Sequence, residues 1–225
     1  SNEETRYFLN GIYFNFRKEE KNNFITIVGT DGHRLSKFDY IYDSLEEENI
    51  GVIIPKKTIN ELSKLLAEHS GDIEVNLSTN KIIFFINETI LISKLIDGNF
   101  PDYKRVIPKD NNNILKINRI NFLKAVDRVS TINSDKLPIV RFKLLNNIMN
   151  ISTSNNDNGT ATEDIQTSYN GDLIEIGFNS KYVLDMVNNL EDDEITLSFK
   201  DNSSPIIATE KSNPNLVFVL MPMRI

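Results

Sequence analysis

Thr30-Asp31-Gly32-His33-Arg34-Leu35 sets an acid, an imidazole and a guanidinium within a few residues of one another. In a hydrolase, Asp31 or a nearby loop carboxylate would orient His33 as a general base. That chemistry needs a nucleophile, and none stands in a motif: the sequence has no Gly-x-Ser-x-Gly and no phosphate loop. The competing reading is a strand-end turn with Asp-Gly at its tip, from which His33 and Arg34 depart. The turn is the favoured reading. A hydrolase using His33 with a loop carboxylate stays as the alternative.

Other groups offer less. The acidic runs Glu46-Glu47-Glu48, Glu163-Asp164 and Glu191-Asp192-Asp193-Glu194 resemble carboxylate pairs or cation ligands, but nothing in their spacing makes them converge. Solvated charge is the simpler account. The sequence has no Cys, which removes disulfides, thiol nucleophiles and cysteine-held metals and suits a reducing cytoplasm. His33 and His69 are the only two His, too few for a histidine-built centre. No catalytic residue, metal or cofactor is expected.

Basic side chains recur on three segments with helical spacing. Lys56, Lys57 and Lys64 lie on the first, Arg119, Lys124 and Arg128 on the second, and Lys181 on the third. They form a candidate phosphate-contacting set. Glu61, Glu68, Asp127 and Asp185 accompany them, so an ordinary amphipathic surface explains them nearly as well. The 225 residues carry 25 basic and 32 acidic side chains, a net charge of −7. Any grip on nucleic acid would therefore be local rather than global. With 40% hydrophobic residues, including 13 Phe and 7 Tyr, the chain can bury a core. No apolar run approaches the ~20 residues of a membrane span, so no membrane contact is expected.

The elements that would position these groups follow from periodicity. A period of two marks strands at residues 12–16, 24–28, 73–77, 82–86 and 90–95. Apolar stripes mark three helices: Ile59, Leu62, Leu65 and Leu66 after Pro55; Phe122, Leu123, Val126 and Val129; and Tyr182, Val183, Met186, Val187 and Leu190 with Asn179 as cap. The polar run 109–113 reads as an interdomain linker, and 155–160 as a loop between strands. The order strand, helix, three strands occurs twice, with Pro55 matched to Gly177 and 12–28 matched to 140–152. The second copy opens with a strand at 114–117 and a helix at 119–132, whereas the first has only residues 1–5 there. The chain is expected to be a fragment of a longer protein. Its domains are expected at 1–109 and 110–225, each α+β.

Six motifs sharpen this reading: Arg6-Tyr7-Phe8-Leu9-Asn10-Gly11; the Thr30–Leu35 segment; Ile54-Pro55-Lys56-Lys57; residues 97–108, Asp-Gly-Asn-Phe-Pro-Asp-Tyr-Lys-Arg-Val-Ile-Pro; residues 176–185, Ile-Gly-Phe-Asn-Ser-Lys-Tyr-Val-Leu-Asp; and the closing Met221-Pro222-Met223-Arg224-Ile225. In order and spacing the chain resembles the bacterial sliding-clamp family, the beta subunits of DNA polymerase III. The resemblance covers almost the whole chain, as most of the second of three family domains and all of the third. It implies the clamp (processivity) fold, with antiparallel sheets outside and helices on the inner face.

The implied function is non-enzymatic. Clamps of this family close head to tail as a homodimeric ring, encircle duplex DNA without reading its sequence and tether polymerases to it. A mildly basic lumen fits an acidic protein that must slide. The family binds short peptides of replicative and repair polymerases, the clamp-loader subunit and other clamp-binding-motif proteins in a groove between the second and third domains. The matching positions are Leu9, Thr30, Gly32, His33, Leu35, Pro101, Arg105 and Val106, then Asn179, Tyr182, Pro205, Val219, Met221, Pro222, Met223 and Arg224. Flexible Met side chains suit many partners. For DNA the resemblance indicates Arg6, Tyr7, Phe8, Lys56 and Lys57, with Phe8 departing from the Tyr often found there. For the subunit contact it indicates Thr131 and Ile132. Without the first domain, a monomeric fragment in the cytoplasm is expected.

Overall fold

A computed structural model describes residues 1, 4–19, 22–42, 50–133, 138–155 and 159–224. The acidic run Glu46-Glu47-Glu48, the middle of the 155–160 loop and Ile225 lie outside the described residues. The chain separates into two units. Unit 1 comprises Ser1–Gly32 with Lys37–Tyr103, and unit 2 comprises His33–Ser36 with Lys104–Ile225.

Unit 1 begins with a 3-10 turn at Tyr7–Leu9. It continues through β1 (Gly11–Glu19), β2 (Asn22–Thr30), β3 (Arg34–Tyr42, whose residues up to Ser36 belong to unit 2), β4 (Ile50–Pro55), α1 (Lys56–Ala67), β5 (Glu74–Leu77), β6 (Lys81–Ile86) and β7 (Thr89–Lys94). One set of strands runs β3-β2-β1-β4 and a second sheet runs β5-β6-β7. Pro55 stands at the N-cap of α1, where a missing N–H costs nothing. The apolar stripe of α1 buries Leu62 with Ile54, Ile82, Phe84 and Ile86.

Strand β3 was not expected from periodicity, and its side chains explain why. Thr26 is buried and its hydroxyl lies 2.6 Å from Asp39 Oδ1, while Arg17 Nε donates to Thr26 Oγ1 at 2.9 Å. Lys37 pairs with the other Asp39 oxygen. Burial pushes the Asp39 carboxyl upward in pKa, but hydrogen bonds from Lys37 and Thr26 and the charges of Lys37 and Arg17 outweigh it and hold the group below its ordinary range.

Unit 2 holds β8 (Asn113–Asn118), α2 (Arg119–Ser130), β9 (Ile139–Leu145), β10 (Ile148–Asn155), β11 (Gly159–Gln166), β12 (Ser168–Tyr169), β13 (Ile174–Asn179), α3 (Ser180–Asn188), β14 (Glu194–Phe199), β15 (Ile206–Glu210) and β16 (Leu216–Leu220). Its strands run β12-β8-β14-β15-β16 and β11-β10-β9-β13. Phe122, Val126, Phe142, Phe178, Val187, Leu197 and Phe199 are fully buried in one cluster. Asn118 caps α2 by accepting from Asn121 N at 2.9 Å, and Asn179 caps α3 by accepting from Lys181 N at 3.0 Å.

The repeat is visible in the element order, with one adjustment to its register. Pro55 and Asn179 each precede the first residue of their helix, so Pro55 corresponds to Asn179 rather than to Gly177. Among the described residues, unit 1 has no element in the place of β8 and α2. The polar run at 109–113 is fastened to unit 2: Asn111 is buried, and its Nδ2 donates to the carbonyls of Ser198 and Pro205, each at 2.9 Å. Among the described residues, no helix is long and apolar enough to cross a membrane.

The turn between β14 and β15 carries a pH-dependent tie. Asp201 Oδ1 accepts from the Ser203 and Ser204 amides at 2.8 and 2.7 Å, and Oδ2 accepts from Ser204 Oγ at 2.9 Å. These donors, the Ser203 amide foremost, pull its pKa down to about 2. A depressed carboxylate pKa stabilises the fold above the unfolded value of about 3.9 and loses that effect as pH falls through the folded value. Asp201→Ala should therefore lower the melting midpoint at neutral pH, and the difference from wild type should shrink progressively from pH 4 to pH 2. Thermal melts across that range check it; a pH-independent difference would assign the effect to packing instead.

Candidate functional site

Two surfaces gather the residues singled out by the sequence, one in each unit. In unit 2, the cap at Asn179 starts α3 so that Tyr182 and Asp185, three residues apart, share one face. Arg34 Nη1 donates to Asp185 Oδ2 at 2.6 Å, and its guanidinium carbon lies 4.3 Å from the Tyr182 ring centroid. That is cation–π geometry. The His33 ring stacks beside Tyr182, with centroids 6.4 Å apart and planes 24° from parallel. The carboxylate that reaches this cluster binds a guanidinium, so the cluster is a polar-aromatic plate.

The chain's last described residues run beside that plate. Pro222 has no N–H to give, and the residues on either side supply the bonds instead. Met221 N donates to His33 O at 2.9 Å and Met223 N donates to Gly177 O at 2.8 Å. This links the segment to the residue just before β3 and to the interior of β13. Met221 is 37% exposed, Pro222 and Met223 are half-buried, and Arg224 is exposed. A thioether and a proline ring bordered by Tyr182, His33 and Arg34 can hold apolar side chains of an extended peptide and offer donors at the rim.

Other positions implied by the resemblance divide by burial. Leu35, Asn179 and Val219 are 4%, 6% and 1% exposed. They support the surface from beneath: Val219 pairs with Ile207 in the sheet and Asn179 caps a helix. Pro205 is half-buried, and Arg105 and Val106 are exposed. In unit 1, Leu9 is buried and Pro101 is exposed. Gly32 has φ of +86°, the left-handed conformation that the Asp-Gly turn needs, and its N–H donates to Thr30 Oγ1 at 3.1 Å. Sequence reasoning left Arg34 and Asp185 out of the site. The Tyr-x-x-Asp spacing on α3 was the available signal for Asp185.

The second surface is cationic and lies in unit 1. Lys56 N donates to Asn10 O at 3.1 Å, and Gly11 pairs with Pro55 across β1 and β4. This joins the Tyr7–Leu9 turn to the N-terminus of α1, bringing Arg6, Tyr7 and Phe8 into the same region as Lys56 and Lys57. Gly98, with φ of +123°, lies against Tyr7 and Phe8. Two exposed lysines open α1, and its first turn contains no acid. Cations there oppose the helix dipole, so helix stability does not explain their placement, whereas an anionic ligand would.

The remaining basic residues of the candidate phosphate set are mostly engaged. Lys64 pairs with Glu61 at 2.9 Å, and Arg128 forms a two-point contact with Glu163 on β11. Arg119 Nε donates to Asp192 O at 3.1 Å. Among the described residues, Lys124 and Lys181 form no ion pair and are exposed. At the end of α2, exposed Thr131 donates through Oγ1 to Arg128 O at 2.7 Å, and Ile132 is half-buried.

Comparison with known proteins supplies the family. Residues 1–102 match the central domain of the DNA polymerase III beta subunit, and residues 104–224 match its C-terminal domain. The beta sliding clamp of Caulobacter vibrioides is 37% identical over 225 residues, all of this chain and 60% of that protein. That of Rickettsia felis is 37% identical over 236 aligned residues, covering 99% of this chain and 61% of the relative. The sliding clamp of Bartonella birtlesii, solved with griselimycin bound, superposes over 100% of this chain and 61% of its own with a TM-score of 0.94 and 40% identity. The polymerase III beta subunit of Caulobacter crescentus, at 37% identity, gives a TM-score of 0.94 over 100% of this chain and 61% of its own. The chain thus spans about 60% of the length of the curated relatives it matches. Its α+β units, mostly antiparallel sheet with a few helices, have the fold of the sliding clamps. The chain belongs to the DNA polymerase III beta subunit family and carries that family's central and C-terminal domains in succession.

Proposed function

We propose that this chain acts as part of a DNA polymerase processivity factor, a non-catalytic ring subunit that encircles duplex DNA and binds partner proteins through short peptides. The observation that carries this reading is the pairing, in one chain, of two different surfaces. One is a cationic turn-and-helix start in unit 1, and the other is an apolar, aromatic-edged surface in unit 2. A protein that only bound DNA would not need the second. The DNA role falls to Arg6, Tyr7, Phe8, Lys56 and Lys57, which meet phosphates without reading bases. Replicative and repair polymerases, the clamp loader and other clamp-binding proteins place apolar anchors against Met221, Pro222, Met223 and Tyr182. Ring closure is head to tail with a second subunit, and Thr131 and Ile132 belong to that contact.

The DNA half of the reading is tested by charge reversal. With only a few lysines and arginines at phosphates, binding of the chain to a short duplex should be weak and should fall steeply with added salt. Lys56→Glu combined with Lys57→Glu should weaken it at least tenfold, and by the same factor for every duplex sequence. Fluorescence anisotropy with two unrelated duplexes at several salt concentrations measures this. Tight binding to one sequence that persists at high salt would overturn the reading.

A further inference from the structure

The carboxylate of Asp185 stands where helix energetics disfavours it. It lies in the last turn of α3, at the end that carries partial negative charge, and that turn contains no basic residue. Asn189, rather than a cation, caps the terminal carbonyls. Its N–H donates to Met186 O and Val187 O, and its Nδ2 donates to Asp185 O at 2.7 Å. The backbone under Asp185 is thereby fixed, and its carboxylate is directed outside the helix, to Arg34 Nη1 at 2.6 Å. The Arg34 and Asp185 side chains are 36% and 59% exposed, and an ion pair so open to solvent contributes little to folding. Neither the helix nor the stability of the fold accounts for the pair.

What the pair does is place a guanidinium. Arg34 is the first residue of β3, and the His33 carbonyl before it receives the Met221 N–H at 2.9 Å. These bonds hold the backbone at one end of a long side chain that otherwise keeps many rotamers. A short carboxylate on a capped helix is a rigid acceptor at the other end. Held between them, the guanidinium carbon lies 4.3 Å from the ring centroid of Tyr182, which shares a helix face with Asp185. The His33 ring stacks beside the same half-buried tyrosine. One aromatic ring is thus bordered by two polar side chains, and only Arg34 needs an outside partner to stay there.

Taking this surface as a peptide site, we infer that Asp185 is a positioning residue for it. Asp185 holds the Arg34 guanidinium over Tyr182 before a peptide arrives, so the side chain is already ordered when binding occurs. Ordering a rotamer-rich side chain at an interface weakens association, and a side chain fixed in advance avoids that loss. Asp185 acts only through Arg34 and itself contributes no apolar contact. The carboxylate is therefore kept at an unfavourable helix position for the sake of binding rather than folding.

The test titrates the full chain calorimetrically with one synthetic peptide bearing Leu and Phe anchors. Asp185→Asn keeps the shape of the side chain and removes its charge. It should weaken binding about two- to tenfold, the range for ordering one long side chain. The melting midpoint should hold or rise slightly, because an acid leaves the helix C-terminus. In an Arg34→Ala background the same change should alter affinity by less than about twofold, since nothing remains to be positioned. Without any peptide, the nuclear-relaxation order parameter of the Arg34 Nε–H should fall on Asp185→Asn while the backbone amides of β3 keep theirs. Unchanged affinity in the unmutated background, an equal loss in both backgrounds, or an unchanged Arg34 order parameter would overturn the inference while leaving the peptide site in place. Failure of the unmutated chain to bind the peptide would overturn the peptide reading of this surface, and the positioning role with it.

Discussion

Phe142→Ala should cost unit 2 about 3–5 kcal/mol, the range for removing a large aromatic from a closed core. Phe142 is fully buried at the centre of β9. It pairs with Ile151 of β10 on one side and Ile176 of β13 on the other, both also fully buried. Its ring centroid is 5.5 Å from those of Phe122 on α2 and Phe178 on β13. Strands on both sides and a helix above leave little freedom to collapse into the void, which places the cost toward the upper end of the range. A loss of that size lowers the melting midpoint by roughly 10 °C or more in a domain of this length. Phe142→Leu keeps most of the volume and should cost about 1.5 kcal/mol or less. Chemical denaturation of the three proteins decides it. Equal losses for Ala and Leu would mean that ring contacts, rather than filled volume, hold this layer together.

The same core shows what the sequence could reveal. The helices at α1, α2 and α3 and the strands with alternating apolar residues follow from spacing, because burial of one face is what selects those residues. Strands β3 and β11 were hidden for a common reason. In each a polar side chain interrupts the inward face: on β3 Asp39, held by Lys37, Arg17 and Thr26, follows buried Leu35, and on β11 Glu163, held by Arg128, stands between Ala161 and Ile165, which pack against the core. A strand whose inward face is interrupted in this way shows only a broken period-two hydrophobic signature. The site was legible in the same uneven way. Tyr182, the closing methionines and the paired lysines stand in contiguous motifs, but the Arg34–Asp185 contact joins residues 151 positions apart, and no local pattern announces it. The place of His33–Ser36 in unit 2 is likewise a product of folding, since the Met221 N–H that reaches His33 O comes from far along the sequence.

Ending the chain at Leu220 should abolish binding of a clamp-binding peptide while leaving unit 2 folded. The truncation removes Met221, Pro222 and Met223, the apolar part of the surface beside Tyr182, along with exposed Arg224. It leaves β16 intact, with Leu220 still paired to Ile206 and Val219 to Ile207. The structural cost is the two backbone bonds at His33 O and Gly177 O, both made by the chain end, and the partial burial of Pro222 and Met223. Thermal melting should therefore shift by only a few degrees, as expected when an ordered terminus is lost without its strand. Peptide affinity should fall at least tenfold, equivalent to 1.4 kcal/mol or more, because the pocket loses the side chains that desolvate Leu and Phe anchors. His33→Ala should act in the same direction but less strongly, at about 1 kcal/mol for the loss of one polar contact, and its carbonyl would still receive the Met221 N–H. Calorimetric titration of the wild type, the truncation and His33→Ala with one synthetic peptide bearing Leu and Phe anchors separates these effects. Unchanged affinity after truncation would move the peptide site off the closing segment altogether. A large loss with His33→Ala and none with truncation would place the binding energy on the polar-aromatic plate instead.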